Sequence, residues 1–208
     1  PFTIKIKPIA FFTKLPVQKN LIMKKNLVMA VLLLPLFILV SPSIVNAQSL
    51  NAEDIRAQMI KEWERAKAYT VEYLNTMPAD KYSYIAADSI RSFAKQMLHL
   101  AGGNIFLMMN ATDYKVPPVF GNPNLENSPG AQNKDSVMFY VTNSYDYCIN
   151  AVKNTDLSKW GEKKKIFGFE ESRYALMIKT FEHQTHHRGQ TTIYIRRQGI
   201  KPPQERLF

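Results

Sequence analysis

A single cysteine, Cys148, stands in 208 residues, and histidine is almost as scarce, with four. One cysteine excludes an internal disulfide. Its setting, YDYCINAV, is apolar and helical, which fits a buried structural thiol better than a nucleophile. No cysteine lies near the end of the N-terminal apolar run, so a lipoprotein anchor is not expected. Alternating strand patterns and internal repeats are also missing; KIFGF at 165–169 could supply at most a β-bridge or a brief hairpin arm. Acidic residues are few, 17 against 27 lysines and arginines, and the formal net charge of +10 suggests nucleic acid at first sight. The excess is local. Six of the lysines lie in the first 47 residues, which hold no acid, so 21 bases face 17 acids in the remainder, a net of +4. That balance, with no basic stripe interleaved with aromatics, excludes nucleic acid as the expected partner. The one dense basic cluster, GEKKKIFGF at 161–169, is expected to be a solvated loop.

What is present near the start is a segment with the pattern of a secretory signal. Met23, Lys24 and Lys25 precede an apolar run from Leu27 to Val40 that is short for a membrane span. Val45-Asn46-Ala47 offers small residues at the cleavage positions, so residues 23–47 are expected to be a signal peptide cut after Ala47; retention as an N-terminal anchor is the alternative. Residues 1–22 read as an upstream extension outside the fold. Residues 48–208 then form one domain of about 160 residues, enough for a sizeable core. The expected location is periplasmic or secreted, with the membrane involved only through the signal segment.

Four segments of this domain carry helical periodicity. In 51–77, Ile55, Met59, Trp63, Ala66, Thr70, Tyr73 and Leu74 recur at three- and four-residue steps, Asn51 caps the start and Pro78 stops the end. In 89–111, Ile90, Phe93, Met97, Leu100, Asn104 and Leu107 trace a face that Gly102 and Gly103 weaken. The third helix spans about 135–155 and the fourth about 172–198, ended by Gly199, Pro202 and Pro203. Between the second and third lies a long loop, 113–134, with four prolines and two glycines. The predicted fold is all-α, a four-helix bundle with longish crossings.

Three of the four histidines fall within five positions, His183, His186 and His187, and the fourth, His99, lies on the second helix. At about 100° per residue, His183, His187, Leu176, Gln190 and Tyr194 fall within a stripe about 60° wide, with His186 at its edge. Histidines at i and i+4 can direct two imidazoles at one ion. On the second helix Phe106 and Gly103 flank His99, and the glycines leave its wall partly bare, as room for an ion, its waters or a substrate. Inward histidines on facing helices are a usual way to build a metal site in a bundle. Three imidazoles suit Zn²⁺, Ni²⁺ or Fe²⁺ and leave open positions, which favours catalysis over a closed structural site. A histidine pair at this spacing also occurs in plain cores, and His186 could replace His187 through i,i+3 geometry.

The run His183-Gln-Thr-His-His187-Arg-Gly-Gln190, followed by TTIYIRRQGIKPP, resembles the last helix of the DinB/YfiT-like superfamily, and MLHLAGGN supplies the matching second-helix histidine as His99. The resemblance covers about Asn51 to Phe208. It implies a four-helix bundle, often a homodimer, with one divalent metal held by His99, His183 and His187. Gln190, Tyr194, Gly103 and Phe106, which the two helix wheels place beside the histidines, are the expected pocket or supporting residues. Some members resemble thiol transferases using low-molecular-weight thiols such as bacillithiol or mycothiol; others resemble metal-dependent hydrolases or isomerases. An exported chain would meet little of such thiols, which shifts the expectation toward hydrolysis of an unknown small molecule. The alternative is a non-catalytic metal- or ligand-binding module related to stress. No general base is evident: Glu182 lies about 100° and Arg188 about 140° off the stripe. Arg188 is expected in a helix–helix or surface salt bridge, and Gln190 is placed to orient a water or hold a ligand histidine.

Overall fold

A computed structural model describes residues 50–208; the expected upstream extension and signal peptide, residues 1–22 and 23–47, lie outside them. The chain runs α1 (Ala52–Thr76), α2 (Phe93–Thr112), α3 (Lys134–Asn154), β1 (Lys163–Ile166), β2 (Phe169–Ser172) and α4 (Arg173–Arg197). None of the described helices is long and apolar enough to cross a membrane.

Each helix starts where a short polar side chain can take up an unpaired backbone N–H. Asn51 Oδ1 accepts from Asp54 N at 2.9 Å, and Asp54 returns the contact to Asn51 N, completing a capping box. Ser92, Asn133 and Ser172 cap α2, α3 and α4 by accepting from Lys95 N, Ser136 N and Ala175 N. α4 ends at Gly199, whose φ of +72° is the left-handed conformation that glycine adopts without a steric penalty.

The start of α2 differs from the expectation. Residues 89–92 are not helical, and Ile90, expected on the buried face, is exposed. The preceding segment turns back on itself here: Ile85 pairs with Ser92, and Phe93 N and Ala94 N donate to Tyr84 O and Tyr82 O at 2.9 and 2.8 Å. Those pairings take up backbone donors around the Ser92 cap. Leu107 is only half-buried, while Phe93, Met97, Leu100 and Asn104 are in the core.

The basic cluster is not a loop. Lys163–Ile166 and Phe169–Ser172 form an antiparallel hairpin closed by Phe167 and Gly168, with Lys164 opposite Glu171 and Lys165 opposite Glu170. Opposite charges across the strands offset the run of three lysines.

In space the helices form a circuit α1–α3–α2–α4: α2 packs most extensively on α4 and then on α3, and α1 packs on α3 and α4. α1 and α2 are therefore diagonal, as are α3 and α4, which explains the long connections at 77–92 and 155–172. The centre is aromatic. Trp63 of α1 is fully buried and meets Tyr145 of α3 and Phe181 of α4 edge-on, with ring centroids 5.7 and 5.2 Å apart. Cys148 is buried on α3, where burial pushes its thiol well above the ordinary value, so it is held as a neutral core residue. Arg173, at the first turn of α4, bonds Asp113 at the end of α2 (2.7 Å), Glu162 (2.9 Å) and Ala111 O (3.1 Å). That clamp sets the register of α4 against α2, and the histidines lie along this contact.

Candidate metal centre

His99 projects from α2 toward His183 and His187, which sit one turn apart on α4. One ligand nitrogen from each can be chosen so that all three lie within 4.8 Å of one another. The ring centroids are 5.5 Å (His99–His183), 4.5 Å (His99–His187) and 4.3 Å (His183–His187) apart. His186 stays at the exposed edge, its Nε2 3.0 Å from Gln190 Nε2.

Two of the three rings are oriented by partners at Nδ1. Glu126 Oε2 lies 2.9 Å from His99 Nδ1 and also pairs with Arg91 at 3.2 Å. His187 Nδ1 lies 2.7 Å from Gln96 Nε2 and 3.1 Å from Gln190 Oε1, and the two amides touch each other. A carboxylate at His99 Nδ1 takes the ring proton there and leaves the Nε2 lone pair of that ring free to face the cluster, whereas His187 Nδ1 lies between an amide nitrogen and an amide oxygen, so its tautomer decides which of the two it bonds. His183 is different: its Nδ1 is buried and has no hydrogen-bond partner among the described residues. A buried nitrogen left unpaired costs free energy unless something completes it.

Burial lowers the pKa of His183 to about 4, helped by His99, His186 and Arg91, and that of His187 to about 3, helped by His183 and His99. Both are therefore neutral at pH 7, and each ring has one nitrogen lone pair to offer. Two neutral imidazoles, one with an orphan nitrogen, and the His99 ring beside them could together hold a metal ion.

Gly103 has a different purpose from the one expected. A Cβ there would stand 2.0 Å from His183 Cε1 and 2.6 Å from its Nδ1, so the space is filled by the His183 ring rather than left for an ion or water. Gly102 does face open space. Together with Gly103, His99, His183 and Phe106 it lines a cavity of about 800 Å³. Gln190, Tyr194 and His187 line a second cavity of about 860 Å³ on the other side of the cluster. Tyr194 is buried and donates its hydroxyl to Arg91 O at 2.7 Å.

Among the described residues Arg188 forms no salt bridge. It is buried, donating to Gln184 Oε1 at 2.9 Å and Thr70 Oγ1 at 3.4 Å, with its guanidinium 4.6 Å from the Tyr69 ring centre. The aromatic face and neutral acceptors replace the expected carboxylate.

Glu126 is the residue that sequence reasoning missed. It sits in a 3-10 turn, Leu125–Asn127, inside the proline-rich 113–134 loop, pinned by the buried Leu125. Nothing in its spacing links it to His99, 27 residues earlier; only the folding of the loop back over α2 brings them together.

Such an arrangement defines a helical bundle with a three-histidine cluster at the contact of its second and last helices. The DinB family matches residues 47–206, and the chain belongs to that family. Among solved structures, a DinB-like protein from Bacillus cereus ATCC 10987 is similar with a TM-score of 0.61 at 17% identity, over 71% of this chain and 95% of that one. A DinB-like protein from Bacillus subtilis gives a TM-score of 0.51 at 18% identity, over 73% and 96%. At these identities the likeness is one of fold. A comparison with curated proteins finds no match.

Proposed function

We propose that the protein binds one divalent metal ion through His99, His183 and His187 and acts on a small molecule, as a hydrolase in preference to a transferase, outside the cytoplasm. The observation that carries this reading is the convergence of three imidazole nitrogens, with the rings of His99 and His183 lining an open cavity of about 800 Å³, a volume typical of small-molecule sites. An ion held there supplies Lewis acidity.

The side chains prepare that site in separate ways. Glu126 accepts from His99 Nδ1–H, which keeps the ring proton on that atom and turns the other nitrogen inward. Arg91 offsets the Glu126 charge. Gln96 and Gln190 fix the His187 ring. Gly103 admits His183. Phe106, Leu107 and Phe167 wall the cavity and limit water around the cluster. The signal-like segment at 23–47 supports export, and scarce thiol outside the cytoplasm favours water as the attacking group over a thiol cosubstrate.

The test is metal content by elemental analysis of the purified protein, after reconstitution with Zn²⁺, Ni²⁺ or Fe²⁺, beside His99→Ala and His183→Ala. About one ion per chain, lost in both variants, with chelator-sensitive turnover on an ester and amide panel, is the expected result. No metal in the unsubstituted protein would refute the reading. One ion per chain without turnover across the panel would instead assign a metal-binding module.

A further inference from the structure

The two cavities beside the histidines differ in chemistry. The one reached from His187 is lined by Lys95, Gln96, Gln132 and Gln190 and by serine hydroxyls, with Ile85, Ile90 and Ile193 among them. The one reached from His99 and His183 is walled by Phe106, Leu107, Val116, Phe120 and Phe167. Arg91, Glu126 and Asn127 border both.

Single exposed apolar side chains are ordinary on a protein surface. These converge. Phe106 is 43% exposed and Phe167 75%, and their rings lie 5.6 Å apart at 33°, over the same cavity that His99 and His183 enter. Phe167 also sits in an unusual backbone position. It occupies the first place of the two-residue hairpin turn with φ +50°, followed by Gly168 at +86°. Such turns favour asparagine or glycine, and a bulky residue at positive φ is rare and strained. The ring is thus held at the cavity mouth at a conformational cost, the kind of outlier that clusters at ligand-binding sites.

We infer that the substrate is a small molecule carrying an apolar arm, aryl in the simplest case, which packs between Phe106 and Phe167 while its polar reacting group lies at the histidines. This rests on the metal reading above and adds the class of substrate. The hairpin tip and one turn of α2 then act as the specificity wall.

The test is calorimetric titration of the full chain, loaded with Zn²⁺, with three hydroxamates: acetohydroxamate, benzohydroxamate and 4-phenylbutyrohydroxamate. The hydroxamate group chelates the ion in each, and only the arm changes. Arylated probes should bind about tenfold more tightly or better, from the apolar area they bury. That advantage should shrink to about threefold or less in Phe106→Ala and in Phe167→Gly, and persist in Phe139→Ala, an exposed ring elsewhere on α3. Acetohydroxamate affinity should be unchanged in Phe139→Ala, and acetohydroxamate should still bind in both cavity variants, which controls for folding. Phe167→Gly also relieves the positive φ, so it decides the matter if Phe106→Ala folds poorly. Equal affinities for all three probes, or an aryl advantage untouched by both cavity variants, would overturn the inference and leave the metal site standing. No binding of any hydroxamate would overturn the metal reading and the inference with it.

Discussion

α4 carries two polar stripes about a quarter turn apart, and they have opposite characters. Gln184, Arg188 and Thr191 face α1 and α3 and are all buried. Tyr145 donates to Gln184 Oε1 at 2.7 Å and its hydroxyl lies 2.7 Å from Thr70 Oγ1, while Arg188 bonds Gln184 and Thr70 and covers Tyr69. No buried nitrogen or oxygen of this stripe lacks a partner, whereas His183 on the other stripe keeps an orphan Nδ1. A satisfied buried network specifies a core, and an unsatisfied one beside a cavity is poised for something from outside. The distinction lies in bond completion, not in residue polarity.

Removing one member of each stripe should separate stability from binding. His183→Ala should abolish stoichiometric metal, a loss on the order of 1,000-fold in affinity, or about 4 kcal/mol, yet leave the urea midpoint of the metal-free chain nearly unchanged. Arg188→Ala should do the reverse. It leaves Gln184 and Thr70 short of a partner and a void beside Tyr69, for about 2–4 kcal/mol of stability, with one ion per chain still bound. A large loss of metal-free stability in His183→Ala, or loss of metal in folded Arg188→Ala, would erase the contrast.

Smaller changes sharpen it. Gly103→Ala places a methyl in the His183 ring, so metal affinity measured by competition with a chelator should fall about 10- to 100-fold, the range of a displaced supporting contact. Its metal-free stability should hold or rise by up to about 1 kcal/mol, since alanine is the better helix former. Glu126→Gln keeps the shape of the His99 contact but removes its charge, and about a tenfold loss of affinity is expected. Unchanged affinity in both would mean that these contacts do not shape the site.

The two stripes were unequally legible in the sequence. The helices were, because apolar periodicity, Asn51, Pro78 and Gly199 mark them by local rules, and the spacing of His183 and His187 is itself a local geometric fact. The α2 start was misplaced because Ser92 caps only after a tertiary pairing with the segment at 82–85. The charge of Arg188 suggests a carboxylate partner, while the structure meets it with an aromatic face. Glu126 was invisible because a 3-10 turn in a proline-rich loop has no period to extrapolate. Gly103 was noticed for its missing side chain, but which neighbour fills the gap depends on helix packing.

The finest discrimination is by pH. In the metal-free chain His183 and His187 have pKa values lowered to about 4 and about 3, burial being the first cause in each. Unfolded, both return to the ordinary value near 6.5. Between these limits the unfolded chain binds more protons than the folded one, so stability from these groups is full above about pH 6.5 and is lost as pH falls toward 4 and then 3. Both rings are partly exposed, so solvent screening keeps the effect modest. Carboxylates held low by cation or hydroxyl partners, such as Asp113 and Asp156, add their own loss at lower pH. The histidine share is therefore the difference between the unsubstituted chain and His183→Ala/His187→Ala, read as urea midpoints at pH 7 and pH 5. The double variant should lose less on acidification. Equal losses would mean that the rings titrate as solvated histidines, and the orphan nitrogen of His183 would then find its partner in water.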